Sequence, residues 1–279
     1  MTGVDGVDGD GGGFLPPGPG TLLVLSPHFD DAALSCGATV ARAAEDGWRV
    51  VVVVVFAGTP PPASLTPAAR DYHELCELGD DAIAVRAGED RAAMAVLSAE
   101  PHHLDQLEAL YRLRPDGTPA YPHWTDLNDP PAGPEPELVA AITDAVAAAV
   151  ATHRPDLVLH PLAVGGHVDH LAVRAAARAV AAAGVRWLAY EDVPYATFPW
   201  FAGWQEAVAA EWQPTDHEVG ERLWTRKLDA VECYPSQLVA MFGKPSAWRE
   251  YLTAYARGLT DSGQPVERFW RPHAEAQRH

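Results

Sequence analysis

The run Trp48-Arg49-Val50-Val51-Val52-Val53-Val54-Val55-Phe56 restricts the possible folds of this chain more than any other stretch. β-Branched side chains favour extended backbone, and no polar residue alternates with them after Arg49. A strand of that composition has no face for water, so it belongs in a parallel sheet covered on both sides. With 279 residues, 48% of them hydrophobic, the chain can bury one large core of this kind. The valine run is only strand-length, and no stretch of about 18 apolar residues occurs, which excludes a transmembrane helix.

The rest of the chain supplies the alternation such a sheet needs. Thr21 to Leu25 is an apolar run of strand length, and Ala32 to Val40 has helical spacing of small and apolar residues. Ala57 to Pro67, with its Pro60-Pro61-Pro62 run, reads as a loop over the strand ends. A helical stretch begins near Pro67 with a break at Gly79, Arg86 to Leu97 is a helix packed on the sheet, and His102 to Asp105 is a short strand. Adjacent strand residues face opposite ways, so His102 and His103 read as one surface and one packed histidine. Glu137 to His153, Leu157 to His160, Leu171 to Ala183 and Val185 to Tyr190 continue as helix, strand, helix and strand. This order predicts a single α/β domain with a Rossmann-like, mostly parallel sheet flanked by helices.

That domain is expected over residues 21–263, with an elaborated C-terminal part containing helices at Glu221 to Glu232 and Ala247 to Arg257. Residues 1–20, rich in Gly, Asp and Pro and without the basic and apolar regions of a secretory signal, read as a disordered leader. Residues 264–279 read as a polar, frayed tail. Arg112 to Pro136, dense in Pro, Gly, Asp, Tyr and Trp, is a long irregular loop of a length that in compact domains is often functional.

Two turns carry chemistry. Ser26-Pro27-His28-Phe29-Asp30-Asp31 follows the first strand, and Gly165-Gly166-His167-Val168-Asp169-His170 follows the strand at Leu157 to His160. Ligand-binding groups in open α/β sheets collect at such carboxyl ends, so the two turns are expected to converge although His28 and His170 are 142 residues apart. Gly165 and Gly166 permit backbone conformations closed to other residues, letting the chain bend toward a ligand. His167 and His170 face the same way if the helix has begun. Two histidines and one carboxylate with an open position are a common ligand set for catalytic zinc and also suit non-haem iron.

These residues resemble the zinc-dependent N-acetylglucosaminylphosphatidylinositol de-N-acetylases, the PIG-L or LmbE-like family. The resemblance rests on Pro27-His28-Phe29-Asp30-Asp31 with Cys36-Gly37 after it, on Gly166-His167-Val168-Asp169-His170, and on the acid- and alanine-rich helix at Arg86 to Leu97. It covers roughly residues 21–195, with the loop from Arg112 to Pro136 matching poorly. Carried over position by position, it implies that His28, Asp31 and His170 bind one Zn2+ per chain and that Asp30 is the general base. It further implies that His167 stabilises the oxyanion and that Asp169 orients His167. Two departures stand out: Phe29 where the family commonly has proline, and Ala32 where it commonly has glutamate. The second removes any hydrogen bond that glutamate makes and lowers the expected metal affinity.

Asp105, at the end of a short strand on the same rim, is a candidate for binding sugar hydroxyls, and Glu191, Asp192, Tyr195 and Trp200 are candidates for the substrate side. Lys227, Tyr234 and Gln237 read as structural. The expected activity is removal of an N-acetyl or related N-acyl group from an amino-sugar-containing small molecule or glycosylated metabolite. An amidase acting on a thiol-sugar conjugate and a non-catalytic Rossmann-like nucleotide-binding module are the rivals, but the first turn lacks the G-x-G-x-x-G of a dinucleotide site. A net charge of −18 disfavours nucleic acid and anionic membrane surfaces as partners. Cys36, Cys76 and Cys233 are widely spaced and form no C-x-x-C pair, which suits a reducing cytoplasm and suggests no disulfide framework.

Overall fold

The computed structural model of the protein describes residues 14–16, 18–61, 65–128, 130, 132–181, 184–243 and 247–273. In chain order the elements are β1 (Thr21–Ser26), α1 (Asp31–Glu45), β2 (Arg49–Val54), α2 (Pro67–Leu75), α3 (Ala82–Leu97), β3 (Glu100–His103), α4 (Trp124–Asn128), α5 (Pro136–His153), β4 (Leu157–Pro161) and α6 (Val168–Val180). They continue as β5 (Arg186–Tyr190), α7 (Trp204–Val208), β6 (Trp212–Glu218), α8 (Gly220–Val231), α9 (Pro235–Phe242), α10 (Trp248–Gly258) and β7 (Val266–Pro272).

One sheet holds all seven strands in the order β3-β2-β1-β4-β5-β7-β6. The first five are parallel, and β7 and β6 add antiparallel at one edge. The valine strand behaves as its composition demands. Val50 and Val52 join Leu22 and Val24 in one core, while Val51 and Val53 join Leu23 and Leu25 in the core on the other face. Side chains alternate across a strand, so this division means that helices cover both faces. Each fully buried valine or leucine contributes about 1.5–3 kcal/mol, which makes this double cover the main force holding the sheet. Among the described residues no helix is long and apolar enough to cross a membrane.

The order of the strands places the site. From β1 the chain moves outward to β2 and β3, then returns to the other side of β1 with β4 and continues to β5. The direction reverses between β1 and β4, and the carboxyl ends of those two strands flank the crevice where open α/β sheets take their ligands.

Two expected boundaries are corrected. Residues 264–279 are not a frayed tail through Pro272, because β7 pairs with both β5 and β6 and buries Val266, Phe269 and Trp270. The polar reading failed because Glu267 and Arg268 carry charge that distant partners satisfy, Lys227 for the first and Asp216 for the second. Within the expected leader, the Phe14 ring stacks 4.5 Å from His217 and lies 4.5 Å from Phe269; residues 1–13 and 17, and 274–279 of the tail, lie outside the described residues. The domain therefore extends past residue 263 to include β7. The long loop contains the short helix α4 and a bridge between Leu113 and Pro119.

Helix α1 has a kink at Cys36, where φ is −134° and ψ 21°. The interruption leaves the amides of Ala38 and Thr39 to be satisfied from outside the helix. Glu267 on β7 accepts both, at 2.9 and 2.7 Å, and also accepts the Lys227 ammonium at 2.8 Å and the Thr39 hydroxyl at 2.6 Å. This explains Lys227, which is structural as expected.

Candidate active site

Asp30 is the N-cap residue of α1, yet its side chain makes no capping bond and lines a cleft of about 410 Å3 instead. Asp31 opens the helix, and its Oδ2 accepts the His28 amide at 2.7 Å, closing the turn around a carboxylate and an imidazole. The Ser26 hydroxyl fastens the same turn from below, donating to His28 O at 2.7 Å and accepting the Ala32 amide at 3.0 Å. The Tyr234 hydroxyl reaches Phe29 O at 2.9 Å and Asp90 Oδ1 at 3.0 Å.

On the second turn, Gly165 and Gly166 adopt φ of +83° and +68°. A Cβ at Gly165 would lie 2.8 Å from the Tyr195 ring, and one at Gly166 2.8 Å from Asn128 O. Conformation and space both exclude side chains, and the tight bend delivers His167 as N-cap of α6 with His170 in its first turn.

The turns converge as expected. The His28 ring lies 5.0 Å from His167 and 5.2 Å from His170, centroid to centroid. Asp31 Oδ2 sits 3.3 Å from His28 Nδ1 and 3.4 Å from His170 Nε2. The far nitrogen of each imidazole meets a different carboxylate: His28 Nε2 meets Asp169 Oδ2 at 3.1 Å, and His170 Nδ1 meets Asp192 Oδ1 at 2.7 Å. A carboxylate only accepts, so in the neutral form of each ring these contacts place its one proton outward and turn the lone pairs of His28 Nδ1 and His170 Nε2 toward Asp31. With both rings neutral, three electron-rich atoms face one another, and the pull of that cluster on a positive charge is the same one that raises both imidazole pKa values. His170 Nε2 is buried with no hydrogen-bond partner. A cation resolves the arrangement, and His28, Asp31 and His170 form a group able to hold a metal ion.

A second such group, His28, His167 and Asp169, fits less well because its carboxylate is already saturated. Asp169 accepts the Ala109 amide at 2.9 Å and Arg112 Nη1 at 2.6 Å besides His28. The carboxylate of Asp169 is therefore aimed at His28 and not at His167, contrary to the expected pairing. His167 is oriented by backbone instead, its Nδ1 accepting the Asp169 amide at 3.2 Å. That bond leaves the proton on Nε2.

The adjacent carboxylates are pushed apart. Burial and the Asp31 charge raise the Asp30 pKa to about 6 against the opposing pull of Arg86 and His28. Burial also opposes ionisation of Asp31, but His170 and His28 outweigh it and hold this carboxyl well below the ordinary range. Burial disfavours charge on the His28 and His170 imidazoles too, yet carboxylate neighbours prevail, Asp169 and Asp31 for His28 and Asp31 and Asp192 for His170, and both pKa values rise. Burial pushes His167 down to about 3, so this ring is a neutral N–H donor.

The cleft also contains residues that the sequence reading placed elsewhere. Arg86, read as part of a packing helix, is buried in the cleft wall with Nη1 2.5 Å from Glu108 Oε1 and with Nε lacking a partner. A signal existed: Arg86 and Asp90 fall in register with Ile83, Ala93, Met94 and Leu97 on the buried stripe of α3, where a charge needs a reason. Gln237 lines the cleft rather than serving only structure, and Tyr72 donates a short hydrogen bond to it. Tyr195 lines the cleft as expected and packs edge-on to His170 at 5.3 Å. Asp105 does not reach the site: β3 ends at His103, Asp105 is exposed beyond it, and Glu108 takes the place on the rim. Asp192 stands behind His170 rather than facing substrate, and Glu191 points away to Tyr255 and Trp270. His102 is exposed, and His103 is half-buried against Asp90 at 2.6 Å. Where Ala32 stands in place of glutamate, Asp169 and Asp192 serve the outer nitrogens of His28 and His170.

Comparison with known proteins agrees with this geometry. Among curated proteins, 2'-N-acetylparomamine deacetylase of Streptomyces fradiae is 33% identical over 69% of this chain and 61% of its own length. The corresponding enzyme of Niallia circulans is 28% identical over 80% of this chain and 82% of its own length. The chain thus spans about three fifths of the first relative and four fifths of the second. Among solved structures, the zinc inhibited form of teicoplanin deacetylase Orf2 superposes with a TM-score of 0.78 at 31% identity, covering 91% of this chain and 99% of that one. The A40926 pseudoaglycone deacetylase Dbv21 gives 0.72 at 32% identity, covering 90% and 96%. The sequence model of the GlcNAc-PI de-N-acetylase (PIG-L) family matches residues 23–181, which hold both turns and more than half of the chain, and this protein belongs to that family.

Proposed function

We propose that the protein is a zinc-dependent hydrolase that removes an N-acetyl, or related N-acyl, group from an amino-sugar-containing small molecule or glycosylated metabolite. The observation that carries this reading is the division of labour within one turn: Asp31 faces a ring nitrogen of His28 and of His170 while Asp30, one residue away, lines the same cleft without capping its helix. The comparison proteins named above are deacetylases, two of them of an N-acetylated paromamine.

In this reading His28, Asp31 and His170 hold one zinc ion per chain, with Asp169 and Asp192 fixing the two rings. Bound zinc supplies Lewis acidity toward the amide carbonyl and makes water more acidic. Asp30 accepts the proton of the attacking water and passes it to the leaving amine, a task that suits a carboxylate with a pKa raised to about 6. The Nε2–H of His167 donates to the oxyanion as it develops, and a neutral imidazole in a buried setting does this without reorganisation. Tyr195 forms part of the wall against the sugar. Arg86, Glu108 and Gln237 complete the polar part of the wall on the substrate side.

The test is amine release from a panel of N-acetylated amino sugars, free and conjugated. Release should stop with a chelator and return with added zinc. Turnover indifferent to chelation would overturn the metal assignment, and absence of release across the panel would overturn the substrate class.

A further inference from the structure

Asp169 divides its two oxygens between opposite sides of the site. Oδ2 faces His28 Nε2 at 3.1 Å and accepts the Ala109 amide at 2.9 Å, while Oδ1 accepts Arg112 Nη1 at 2.6 Å. Arg112 starts the long loop and also closes it: Nε and Nη2 reach Glu135 at 3.0 and 3.4 Å, and Nη1 reaches Leu107 O at 3.0 Å. The guanidinium lies 5.5 Å from the Phe56 ring and 5.2 Å from the Tyr121 ring, and the Tyr121 hydroxyl donates to Glu135 at 2.8 Å. The same loop grips the second turn by packing. Ala109, Tyr121 and Leu127 form a small core with Val168, the residue between His167 and Asp169, and Asn128 Nδ2 donates to Gly165 O at 3.1 Å.

Asp169 is fully buried, so its carboxylate depends on these donors. Taking the guanidinium away leaves Oδ1 in the interior without its ion pair, and the carboxylate is no longer held in one orientation. That frees the His28 ring, because the Asp169 contact fixes which way His28 Nδ1 points. The fork geometry matters as much as the charge. One planar group holds Asp169, Leu107 and Glu135 at once, which an ammonium cannot do.

We infer that Arg112 is a positioning residue for the His28 ligand, and that through it residues 107–135 form part of the frame that holds the metal. This rests on the ligand set His28, Asp31 and His170 and adds a role for the long loop. Arg112 acts through Asp169, so its effect on zinc binding exists only while the Asp169 carboxylate is there to transmit it.

The experiment measures zinc affinity by competition with a chelating dye for wild type, Arg112→Gln, Asp169→Asn and the double variant, with denaturant melts of each zinc-free protein alongside. Arg112→Gln should weaken zinc binding by about tenfold, the low end of the usual loss for a group behind a ligand. In the Asp169→Asn background the same substitution should weaken it by less than about twofold. A residue that merely stabilises the fold would lower zinc affinity equally in both backgrounds. Arg112→Lys should fall between wild type and Arg112→Gln, and it replaces the glutamine variant in the cycle if the melts show that variant unfolded. Wild-type affinity in Arg112→Gln, or equal losses in both backgrounds, would overturn the inference while leaving the metal assignment intact. Failure of wild type to bind zinc, or undiminished binding in both His28→Ala and His170→Ala, would overturn that assignment and this inference with it.

Discussion

Helix α1 touches two buried polar clusters, one at each side of its kink, and their hydrogen bonding sets them apart. At Glu267 every strong donor has an acceptor: two helix amides, one hydroxyl and one ammonium converge on a single carboxylate. At His28, Asp31 and His170 the outer atoms are equally well partnered, but three inner atoms point at a common space and His170 Nε2 has nothing to bond. Burying polar groups is costly in either place. A cluster that closes on itself holds the structure together, whereas one that closes everywhere except toward a single point is built to receive something. The same helix thus joins a structural anchor to a reactive turn, and Lys227 also reaches back along it to Ser35 O at 3.3 Å.

That contrast can be broken experimentally. The largest effect is expected from His170→Ala, which should purify with almost no zinc and lose turnover, as should His28→Ala; metal content by elemental analysis decides it, and full retention in both would reject the ligand set. Asp30→Asn should keep zinc while kcat falls on the order of 10²- to 10⁴-fold, the usual worth of a general base. Wild-type rates there would end the base assignment. Glu267→Ala should do the reverse, lowering unfolding stability by about 3–5 kcal/mol because Lys227 and two amides lose their partner, while the folded fraction still binds zinc. A denaturant melt of that variant unchanged from wild type would show the anchor to be unimportant. Smaller again, Asp192→Asn should weaken zinc affinity by on the order of 10- to 100-fold through the loosened His170 ring, measured by competition with a chelating dye.

The smallest effect concerns pH. Burial raises the Glu191 pKa to about 7 against the hydrogen bonds from Tyr255 and Trp270. A carboxyl with a raised folded-state value binds its proton more tightly when folded, so its contribution to stability is full below its ordinary value of 4.5 and is lost as pH rises through about 7. The stability of wild type relative to Glu191→Gln should therefore decline between about pH 5 and about pH 8. A flat difference would place the Glu191 carboxyl in contact with solvent.

Much of this was legible in the residues because it depends on local pattern. The valine run required a sheet covered on both faces, and the two polar turns each followed a strand, so a site at their carboxyl ends could be read directly. The stretches misread were those whose meaning depends on distant partners. Val266 to Pro272 looks like a tail until Lys227 and the kinked helix supply reasons for Glu267. Gln237 and Asp105 exchanged importance because the end of β3 and the seat of α9 decide which side chain reaches the cleft.

By itself the sequence determined the class of fold, the two turns and the residue types they carry, since periodicity and motif spacing are properties of the chain. Only the tertiary structure decided which carboxylate serves which ring. Asp169 adjoins His167 by one intervening residue yet bonds His28 across the sheet, and Asp192 reaches His170 from the end of β5. The first pairing arises because β1 and β4 are neighbours, which brings together residues 141 positions apart; the second joins residues 22 apart because β4 and β5 are neighbours, and Asp30 lines the same cleft beside them.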